Sequence, residues 1–277
     1  MSIFVKVLVA FAGLFVAFVI GFNLWGALTL GTHTPIADAT RDASANKVVM
    51  VFGATGSAGD GLLKAAMADP QVEKIYAVTR RLSPRLEAGQ ASGRVDVIMH
   101  KDFADYTMLG DQLAEVNTVL WGLGASSMGM DPELYRRIHV DFPVNFVKAW
   151  LAAEPEGPMA FHFITGMGTG EDERQQWARD KAYTERYTAE LASGTRLRSF
   201  GHRSAWIRPT DENANIIIYL GEQLMRPGYG VIRALDLGRA MLEISARVDE
   251  LPNGSLIDNR DAIEYAAAYR AYFGIEN

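Results

Sequence analysis

A glycine-rich turn follows the first apolar run after residue 47. Five apolar residues, 48–52, precede the sequence GATGSAG of residues 53–59, where a helical pattern begins. Glycine permits a sharp turn and close approach of the backbone to a phosphate, and a helix N-terminus presents free N–H groups to an anion. The spacing therefore predicts a loop that binds the pyrophosphate of a dinucleotide. The expected contact residues are Gly53, Thr55, Gly56, Ser57, Ala58 and Gly59. A glycine turn without a ligand is the alternative.

Two adjacent arginines, Arg80 and Arg81, follow the second apolar run and indicate which dinucleotide is bound. Sites for NAD usually place Asp or Glu about 20 residues beyond the glycines, where the carboxylate binds the ribose 2′-hydroxyl. This chain has Thr79 and the two arginines there, with no acid. A guanidinium can bind a phosphate through two hydrogen bonds, so the pair favours NADP over NAD. A solvated arginine pair at a strand end is the alternative.

Apolar runs alternate with helical patterns from Lys47 onward, which is typical of a parallel sheet with helices on both faces. We therefore expect an α/β fold with a doubly wound parallel sheet, the Rossmann arrangement, preceded by one transmembrane helix. The predicted strands are residues 48–52, 74–79, 95–99, 118–122, 160–165 and 204–207. The predicted helices are residues 59–68, 108–115, 132–152 and 172–192. Pro143 lies inside the third of these helices and is expected to kink or split it.

The N-terminal region contains an apolar stretch, residues 7–30, in which Asn23 and Thr29 are the only clearly polar side chains. A helix of this length extends about 35 Å, enough to cross a hydrocarbon core of about 30 Å. Lys6 before the stretch also suits a cleavable signal peptide, but no small-residue cleavage site follows directly. We predict an uncleaved anchor at residues 1–30 in membrane lipid, a polar linker at 31–46 and one NAD(P)-binding domain at 47–277.

Two opposing signals bear on which side of the membrane the domain faces. Lys6 favours an N-terminus inside the cell, which would place the domain outside. A domain that binds NADPH needs a supply of cofactor, which favours the cytoplasm. We predict a single-pass protein with a cytoplasmic domain. An outward-facing domain would instead favour a role without catalysis.

Composition excludes several classes of function. The chain of 277 residues has no Cys, so it has no disulfide, no thiolate nucleophile and no cysteine metal ligand. A net charge of −6 and the lack of a basic run argue against a nucleic-acid partner. The five histidines are far apart and match no metal-ligand spacing, so no metal site is expected and packing or surface roles are favoured.

Further motifs follow the later predicted strands. They are Asp102-Phe103, Leu123-Gly124, the sequence IRP at 207–209 and the sequence VIRALDLGRAM at 231–241. Together with the glycine loop and the arginines, they make the chain similar to the short-chain dehydrogenase/reductase superfamily, in particular its atypical NAD(P)-binding members, over residues 47 to about 268. The resemblance implies that Asp102 contacts the adenine and that the segment beginning with Leu123 and Gly124 lies along the cofactor, with Phe103 beside it.

The tyrosine of the superfamily's Tyr-x-x-x-Lys pair is replaced in this chain. In that superfamily the tyrosine exchanges a proton with the substrate oxygen, while the lysine lowers the tyrosine's pKa and holds the nicotinamide ribose. The matching residues here are Trp177 and Lys181, and an indole cannot exchange its proton at neutral pH. Thr165 matches the neighbourhood of the catalytic serine and could orient a carbonyl. The resemblance therefore implies Lys181 and Thr165 as the catalytic candidates, with Lys181 also binding the cofactor.

Three further residues near this site are looser candidates. Thr169 follows Thr165 in the same loop, and Tyr183 and Tyr187 lie on the helix of Lys181. Either tyrosine could replace the missing acid if the helix register differs from this alignment. A packing or surface role is the alternative for both tyrosines.

Two functions remain open from the sequence. One is a membrane-tethered NADP-dependent oxidoreductase, with a degenerate active site, that acts on a lipophilic carbonyl compound. The other is a non-catalytic accessory or structural subunit of a membrane protein complex, a role that the Rossmann-fold accessory subunit of respiratory complex I illustrates. Trp177 favours the second. A sugar-nucleotide epimerase is a weaker alternative, because the region after Pro209 is short for a nucleotide-sugar domain.

Overall fold

The structure is a computed structural model and describes residues 2–276. Its strands are β1 (Val48–Phe52), β2 (Lys74–Thr79), β3 (Val95–Met99), β4 (Thr118–Trp121), β5 (Met159–Ile164), β6 (Leu197–Arg203), β7 (Trp206–Arg208), β8 (Val231–Arg233) and β9 (Leu256–Asp258). Seven of them form one sheet in the order β3-β2-β1-β4-β5-β6-β9, and every neighbouring pair is parallel. The strands β7 and β8 form a second, parallel pair.

Helices cover both faces of the large sheet, as a doubly wound fold requires. They are α1 (Ile3–Thr29), α2 (Gly59–Ala68), α3 (Pro84–Ala91), α4 (Gly110–Leu113), α5 (Pro132–Arg136), α6 (Phe142–Ala152), α7 (Gln176–Ala192), α8 (Ile216–Met225), α9 (Ala234–Ala246) and α10 (Asn259–Phe273). One face packs against α2, α9 and α10, and the other packs against α4, α6 and α7. The expected α/β fold with a parallel Rossmann-like sheet is confirmed.

Strand β1 explains why the sheet has two cores. Val49 and Val51 point to the face that α2 and α9 cover, while Met50 and Phe52 point to the face that α6 covers. Successive side chains of a strand alternate between faces, so an unbroken apolar run is stable only where both faces are covered. The ring of Phe52 stacks on the indole of Trp121 in β4, the neighbouring strand of the sheet, with centroids 4.3 Å apart.

The strand predicted at residues 204–207 is present in part as β7, but it lies outside the large sheet. The sixth strand of the sheet is β6, and Trp206–Arg208 instead pairs with Val231–Arg233. Strand β6 carries polar residues that hide it in the sequence, but it lies between β5 and β9 and its side chains have partners. Arg198, for example, donates hydrogen bonds to the backbone oxygens of Ser245 and Arg247, at 2.9 and 3.2 Å.

The predicted helices differ from the structure in length and number. The expected split at Pro143 is confirmed: a π-helical turn, Arg137–Asp141, separates α5 from α6. The helix predicted at 108–115 is only a 3₁₀ turn, Thr107–Leu109, followed by the short α4. The prediction for 172–192 starts too early, because α7 begins at Gln176. The helices α3, α8, α9 and α10 were not predicted.

Helix α1 meets the length and hydropathy expected of a membrane span, and a signal sequence meets the same test. Almost all of it is exposed except at its C-terminal end. There the N–H of Gly228 donates to Asn23 Oδ1 at 3.2 Å, and Gly26 packs so closely that a Cβ would lie 2.3 Å from the Gly228 oxygen. Its last turns are therefore docked on the domain.

The segment between α1 and β1 lies along the domain surface. The backbone N–H groups of Gly31 and His33 donate to the carboxylates of Asp258 and Asp261, at 2.7 and 2.9 Å. Further along, the guanidinium of Arg41 pairs with Glu243, which is fully buried. The predicted linker, residues 31–46, is thus held to the C-terminal helices by specific polar contacts.

Candidate functional site

The glycine loop after β1 is shaped by two positions that cannot carry a side chain. Gly53 has φ +75°, and a Cβ there would lie 2.5 Å from the carbonyl of Gly122 in the neighbouring loop. A Cβ on Gly59 would lie 2.0 Å from the Gly53 oxygen. Gly56 is less confined, because its Cβ would contact only that oxygen, at 3.3 Å. Gly53 and Gly59 therefore pack the loop against β4, while Gly56 keeps the loop's outer surface free of a side chain.

The N-terminus of α2 is left uncapped. The N-cap residue is Ala58, and no side chain caps the helix there. The acid in the first turn, Asp60, is directed elsewhere: it accepts two hydrogen bonds from Arg85, at 2.8 and 3.1 Å, and one from Thr210, at 2.6 Å. The N–H groups of Asp60, Gly61 and Leu62 donate to the backbone oxygens of Gly56 and Ala58. The attraction of this helix end for an anion therefore rests on the positive end of the helix dipole.

A cleft of about 550 Å³ lies beside this loop, at the carboxyl ends of β1, β2 and β4. In open α/β sheets, ligands bind at this edge, where the strand order reverses. The cleft brings together most of the predicted cofactor contacts. Those that line it are Gly53, Thr55, Gly56, Arg80, Arg81, Phe103, Leu123 and Gly124. Those outside its lining are Ser57, Ala58, Gly59, Asp102 and Lys181.

The two arginines occupy different positions relative to the glycine loop. Arg81 Nε lies 3.4 Å from Thr55 Oγ1, so this side chain extends over the loop. The hydroxyl of Thr79 donates to the backbone oxygen of Arg81 at 2.8 Å and accepts from the backbone N–H of Arg81 at 3.3 Å. These two bonds fix the backbone of the turn. Arg80 lines the same cleft and is exposed. Both cations therefore stand at the strand end where a ribose 2′-substituent is expected.

Lys181 and Thr165 contact each other at the end of β5. The ammonium of Lys181 donates to the backbone oxygen of Thr165. Burial lowers the pKa of Lys181 to about 8, although Glu185 opposes this shift. The hydroxyl of Thr165 donates to Glu185 Oε1 at 2.7 Å. Both predicted catalytic groups thus already have partners within the protein.

Glu185 is the residue that organises this region, and the sequence pattern did not single it out. Its carboxylate is buried and accepts two hydrogen bonds from Arg203, at 2.7 and 3.2 Å, in addition to the one from Thr165. A buried carboxylate requires such partners, because an unpaired buried charge is strongly unfavourable. Its position one turn after Lys181 on α7 is the only sequence signal that could have indicated it.

Trp177 lies one helical turn before Lys181, on the same side of α7. Its ring packs along the loop after β5, near the positions that a Cβ on Gly166 or Gly168 would take, at 3.9 and 3.7 Å. The indole N–H donates to the side chain of Gln175. The position matched to the tyrosine therefore holds a packed ring with a single, occupied donor.

The looser candidates lie elsewhere or are enclosed. Tyr183 and Tyr187 stack on each other, with centroids 5.5 Å apart, and are flanked by Arg136 of α5 and Lys148 of α6. They therefore face the neighbouring helices and not Thr165. The hydroxyl of Thr169 is buried and has no hydrogen-bond partner among residues 2–276.

His139 packs against the loop after β4, which lines the cofactor cleft. Its Nε2 lies 3.2 Å from the nitrogen and 3.1 Å from the oxygen of Ala125, and a Cβ on Gly124 would lie 3.0 Å from its ring. Burial, reinforced by the charge of Lys181, lowers the pKa of His139 to about 4. The neutral ring is thus a packing element of the loop after β4, as expected of the histidines in general.

Comparison with known proteins identifies the fold. No protein-family model matches the chain, and a comparison with curated proteins finds no match. A 3-oxoacyl-(acyl-carrier protein) reductase from Brucella melitensis, in complex with NAD, matches with a TM-score of 0.59 and 17% identity, over 79% of this chain and 97% of that chain.

Two other solved structures give the same result. An oxidoreductase of the short-chain dehydrogenase/reductase family from Burkholderia thailandensis has a TM-score of 0.62 and 17% identity, over 79% of this chain and 92% of that one. A UDP-N-acetylglucosamine 4-epimerase from Methanobrevibacter ruminantium M1, in complex with UDP-N-acetylmuramic acid, has a TM-score of 0.59 and 17% identity, over 77% of this chain and 76% of that one. The chain therefore has the parallel Rossmann-like fold of short-chain dehydrogenase/reductase proteins.

Proposed function

We propose that the chain is a membrane-anchored NADP(H)-binding protein that retains its dinucleotide cleft and has lost the usual proton transfer to a carbonyl substrate. The observation that carries the proposal is the contrast between the two ends of the site. The glycine loop lines an open cleft and the hydroxyl of Thr165 is bound to Glu185, whereas Trp177, which the resemblance matches to the acid, has its N–H bound to Gln175.

The cleft fits a dinucleotide on its own geometry. Gly53 and Gly59 form a cradle that a Cβ would fill, and the N-terminus of α2, which no side chain caps, directs the positive end of its dipole toward a pyrophosphate. Phe103 and Leu123 line the cleft with apolar surface suited to the rings of the cofactor. A bound nicotinamide would supply hydride chemistry. A structural neighbour with the same fold is in complex with NAD.

The choice of NADP rests on Arg81 and Arg80. No acid stands at the end of β2, and the side chain of Arg81 extends over the loop toward Thr55. A guanidinium there stabilises a 2′-phosphate by charge-assisted hydrogen bonds, whereas a carboxylate would bind a 2′-hydroxyl and repel the phosphate.

The proposed lack of turnover follows from the side chains near Lys181 that could deliver a proton to a carbonyl oxygen. Carbonyl reduction requires a group that delivers a proton to the oxygen as it becomes an alkoxide. The indole of Trp177 does not do so, and the hydroxyl proton of Thr165 lies in the hydrogen bond to Glu185. The proposal further includes membrane anchoring through α1, with the domain in the cytoplasm. In this role the protein is an accessory subunit of a membrane complex.

An NADPH-dependent oxidoreductase is the second candidate, and one observation favours it. With a pKa of about 8, Lys181 is a stronger acid than an ordinary lysine and holds a proton at neutral pH. Such an ammonium could protonate a carbonyl oxygen directly if it left the backbone oxygen of Thr165. Turnover that is abolished by Lys181→Met, with NADPH affinity preserved, would identify this mechanism.

Equilibrium titration of the full chain in detergent micelles tests cofactor binding. We expect NADPH to bind more tightly than NADH. The matched control is Gly56→Val, because a Cβ at Gly56 would lie 3.3 Å from the Gly53 oxygen, which requires a shift of only a few tenths of an ångström, while a branched side chain would occupy the expected phosphate position. Binding of neither dinucleotide by the folded protein would reject the proposed function, and equal affinities would reject only the preference for NADP.

A further inference from the structure

Helix α8 presents an unusual apolar surface to solvent. Ile216, Ile217 and Leu220 are 70%, 75% and 65% exposed. Their spacing places them along one side of the helix. The helix begins at a well-formed cap, because Asn215 Oδ1 accepts hydrogen bonds from the N–H groups of Ile217 and Ile218, at 3.0 and 3.1 Å. The exposed surface thus belongs to an ordered helix.

The opposite side of α8 is fixed to the domain. The buried carboxylate of Glu222 lies 3.2 Å from Arg208 and 2.7 Å from Arg226. Gly221 packs against Trp206, where a Cβ would lie 3.2 Å from the ring. These contacts determine which side of the helix faces inward, so the apolar side cannot turn into the core.

The position of α8 relative to α1 indicates what covers this surface. The turn Pro227–Tyr229 follows α8 in the chain and packs on α1 through Asn23 and Gly26. The free part of α1, from Ile3 to that contact, extends about 28 Å, which nearly matches a hydrocarbon core of about 30 Å. A bilayer crossed by α1 would therefore have its surface at this turn, and α8 ends at Met225, separated from the turn by Arg226 alone.

We propose that α8 lies in the membrane interface with Ile216, Ile217 and Leu220 in lipid, as a second membrane contact of the domain. The inference rests on the proposed membrane span of α1 and concerns a different element. Continuity with α1 is the reason for choosing lipid as the occupant. The exposed guanidinium of Arg226 at the end of α8 suits the same depth, because cations at this level meet lipid phosphates.

A second contact would restrain the orientation of the domain. A single span lets a domain tilt on the membrane, whereas two contacts beside each other hold one face of the domain against it. The docked end of α1 and the fixed inward side of α8 give the rigidity that this requires. The cofactor cleft would then keep a constant position relative to the bilayer.

Site-specific lipid quenching tests the proposal in the full chain. The natural sequence has no Cys, so Ile217→Cys introduces one labelling site for a fluorophore. The labelled protein is reconstituted in vesicles of phosphatidylcholine and phosphatidylglycerol that contain nitroxide lipids. Leu14→Cys in α1 reports the span. The matched aqueous control is Gln90→Cys. Gln90 is an exposed residue of α3, beside β3, which forms one edge of the large sheet while β9 forms the other.

We expect the label at residue 217 to be quenched several-fold more than the label at residue 90. An interfacial helix is buried by about 5–10 Å, so a nitroxide near the head group should quench residue 217 more than one near the chain end. Quenching at residue 14 but not at residue 217 would overturn the role of α8 and leave the span of α1 intact. Quenching at neither position would overturn the membrane anchor itself.

Two further outcomes are informative. A label at residue 217 that is shielded from an aqueous quencher and also from nitroxide lipids would mean that a protein, such as a second copy, covers α8, which would overturn the proposal. Leu220→Cys on the same side should reproduce the result for residue 217. Its failure to do so in folded protein would contradict an interfacial helix.

Discussion

The two ends of the site are built from different kinds of interaction. At the β1 end, binding geometry comes from the backbone, through Gly53, Gly59 and the uncapped α2, and the cleft remains open. At the β5 end, the matching positions are filled by side-chain contacts, in which Thr165 is bound to Glu185 and Trp177 packs on the loop. In the proposed function, the backbone cradle persists although the side chain that exchanges a proton is replaced, so binding and catalysis would be separate properties of this fold.

Removal of Glu185 should have the largest effect on stability. Glu185→Ala leaves Arg203 and the hydroxyl of Thr165 without their acceptor. Loss of one partner of a buried pair costs about 3–5 kcal/mol, and the lower end, about 3 kcal/mol, is expected because Arg203 is 31% exposed. We expect a lower free energy of unfolding with NADPH affinity unchanged, measured in the full chain in detergent. Glu190→Ala, which removes an exposed partner of Arg186, should leave stability unaltered. A loss of NADPH binding in folded Glu185→Ala would show that the two ends are coupled.

Arg81→Ala should weaken NADPH binding about 10- to 150-fold, because a charge-assisted hydrogen bond to a phosphate contributes about 1.5–3 kcal/mol. The affinity for NADH should change little, since it has no 2′-phosphate. Arg80→Ala is the matched variant, with a smaller effect expected because Arg81 is the residue that contacts Thr55. Calorimetric titration measures all four affinities. Parallel loss of both dinucleotides would mean that Arg81 shapes the cleft and does not select the cofactor.

Gly59→Ala should destabilise the cofactor end. The added methyl would lie 2.0 Å from the Gly53 oxygen, so the loop must move, at a cost of about 1–3 kcal/mol, and NADPH binding should be lost with it. Gly110→Ala is the control, because nothing lies within 4 Å of that position. Normal stability and binding in Gly59→Ala would contradict a rigid backbone cradle.

Acid should destabilise the protein through its buried histidines. Burial lowers the pKa of His139 to about 4, that of His202 to about 3, and that of His162 well below its ordinary value. These rings stay neutral in the folded state and become charged on unfolding, so stability is present above pH 6.5 and is lost as the pH falls from there toward 4. Each such histidine contributes about 1.4 kcal/mol per pH unit in that window. Equilibrium unfolding between pH 7 and 5 measures the slope, and a flat profile would contradict neutral buried rings.

The cofactor half of the fold was largely predictable from sequence, and the reason is its local character. The apolar run of β1, the glycines at 53, 56 and 59 and the arginine pair are contiguous signals that need no knowledge of tertiary contacts. Gly53, Gly56 and the two arginines line one cleft, because parallel strands end at a common edge. Which dinucleotide they bind stays a prediction.

The second half was less predictable because polar residues there are satisfied by distant partners. Strand β6 contains arginine and histidine side chains that only the folded chain pairs, such as His162 with His202 at 2.8 Å. Glu185 reads as a surface residue of an amphipathic helix until Arg203 is placed beside it. The linker contact of Arg41 with Glu243 spans more than half the sequence and leaves no local pattern.

The most direct test measures NADPH oxidation by the full chain with protein in excess of cofactor, so that a single turnover is visible as a loss of nicotinamide absorbance. A panel of aldehydes, ketones and quinones supplies the carbonyl. We expect the natural protein to bind NADPH without oxidising it, and Trp177→Tyr to gain turnover of about 10²-fold over background, since general acid catalysis contributes at least that much. The Gly56→Val variant controls for a contaminating reductase. Rapid oxidation by the natural chain that is absent in Gly56→Val would contradict a binding protein without turnover.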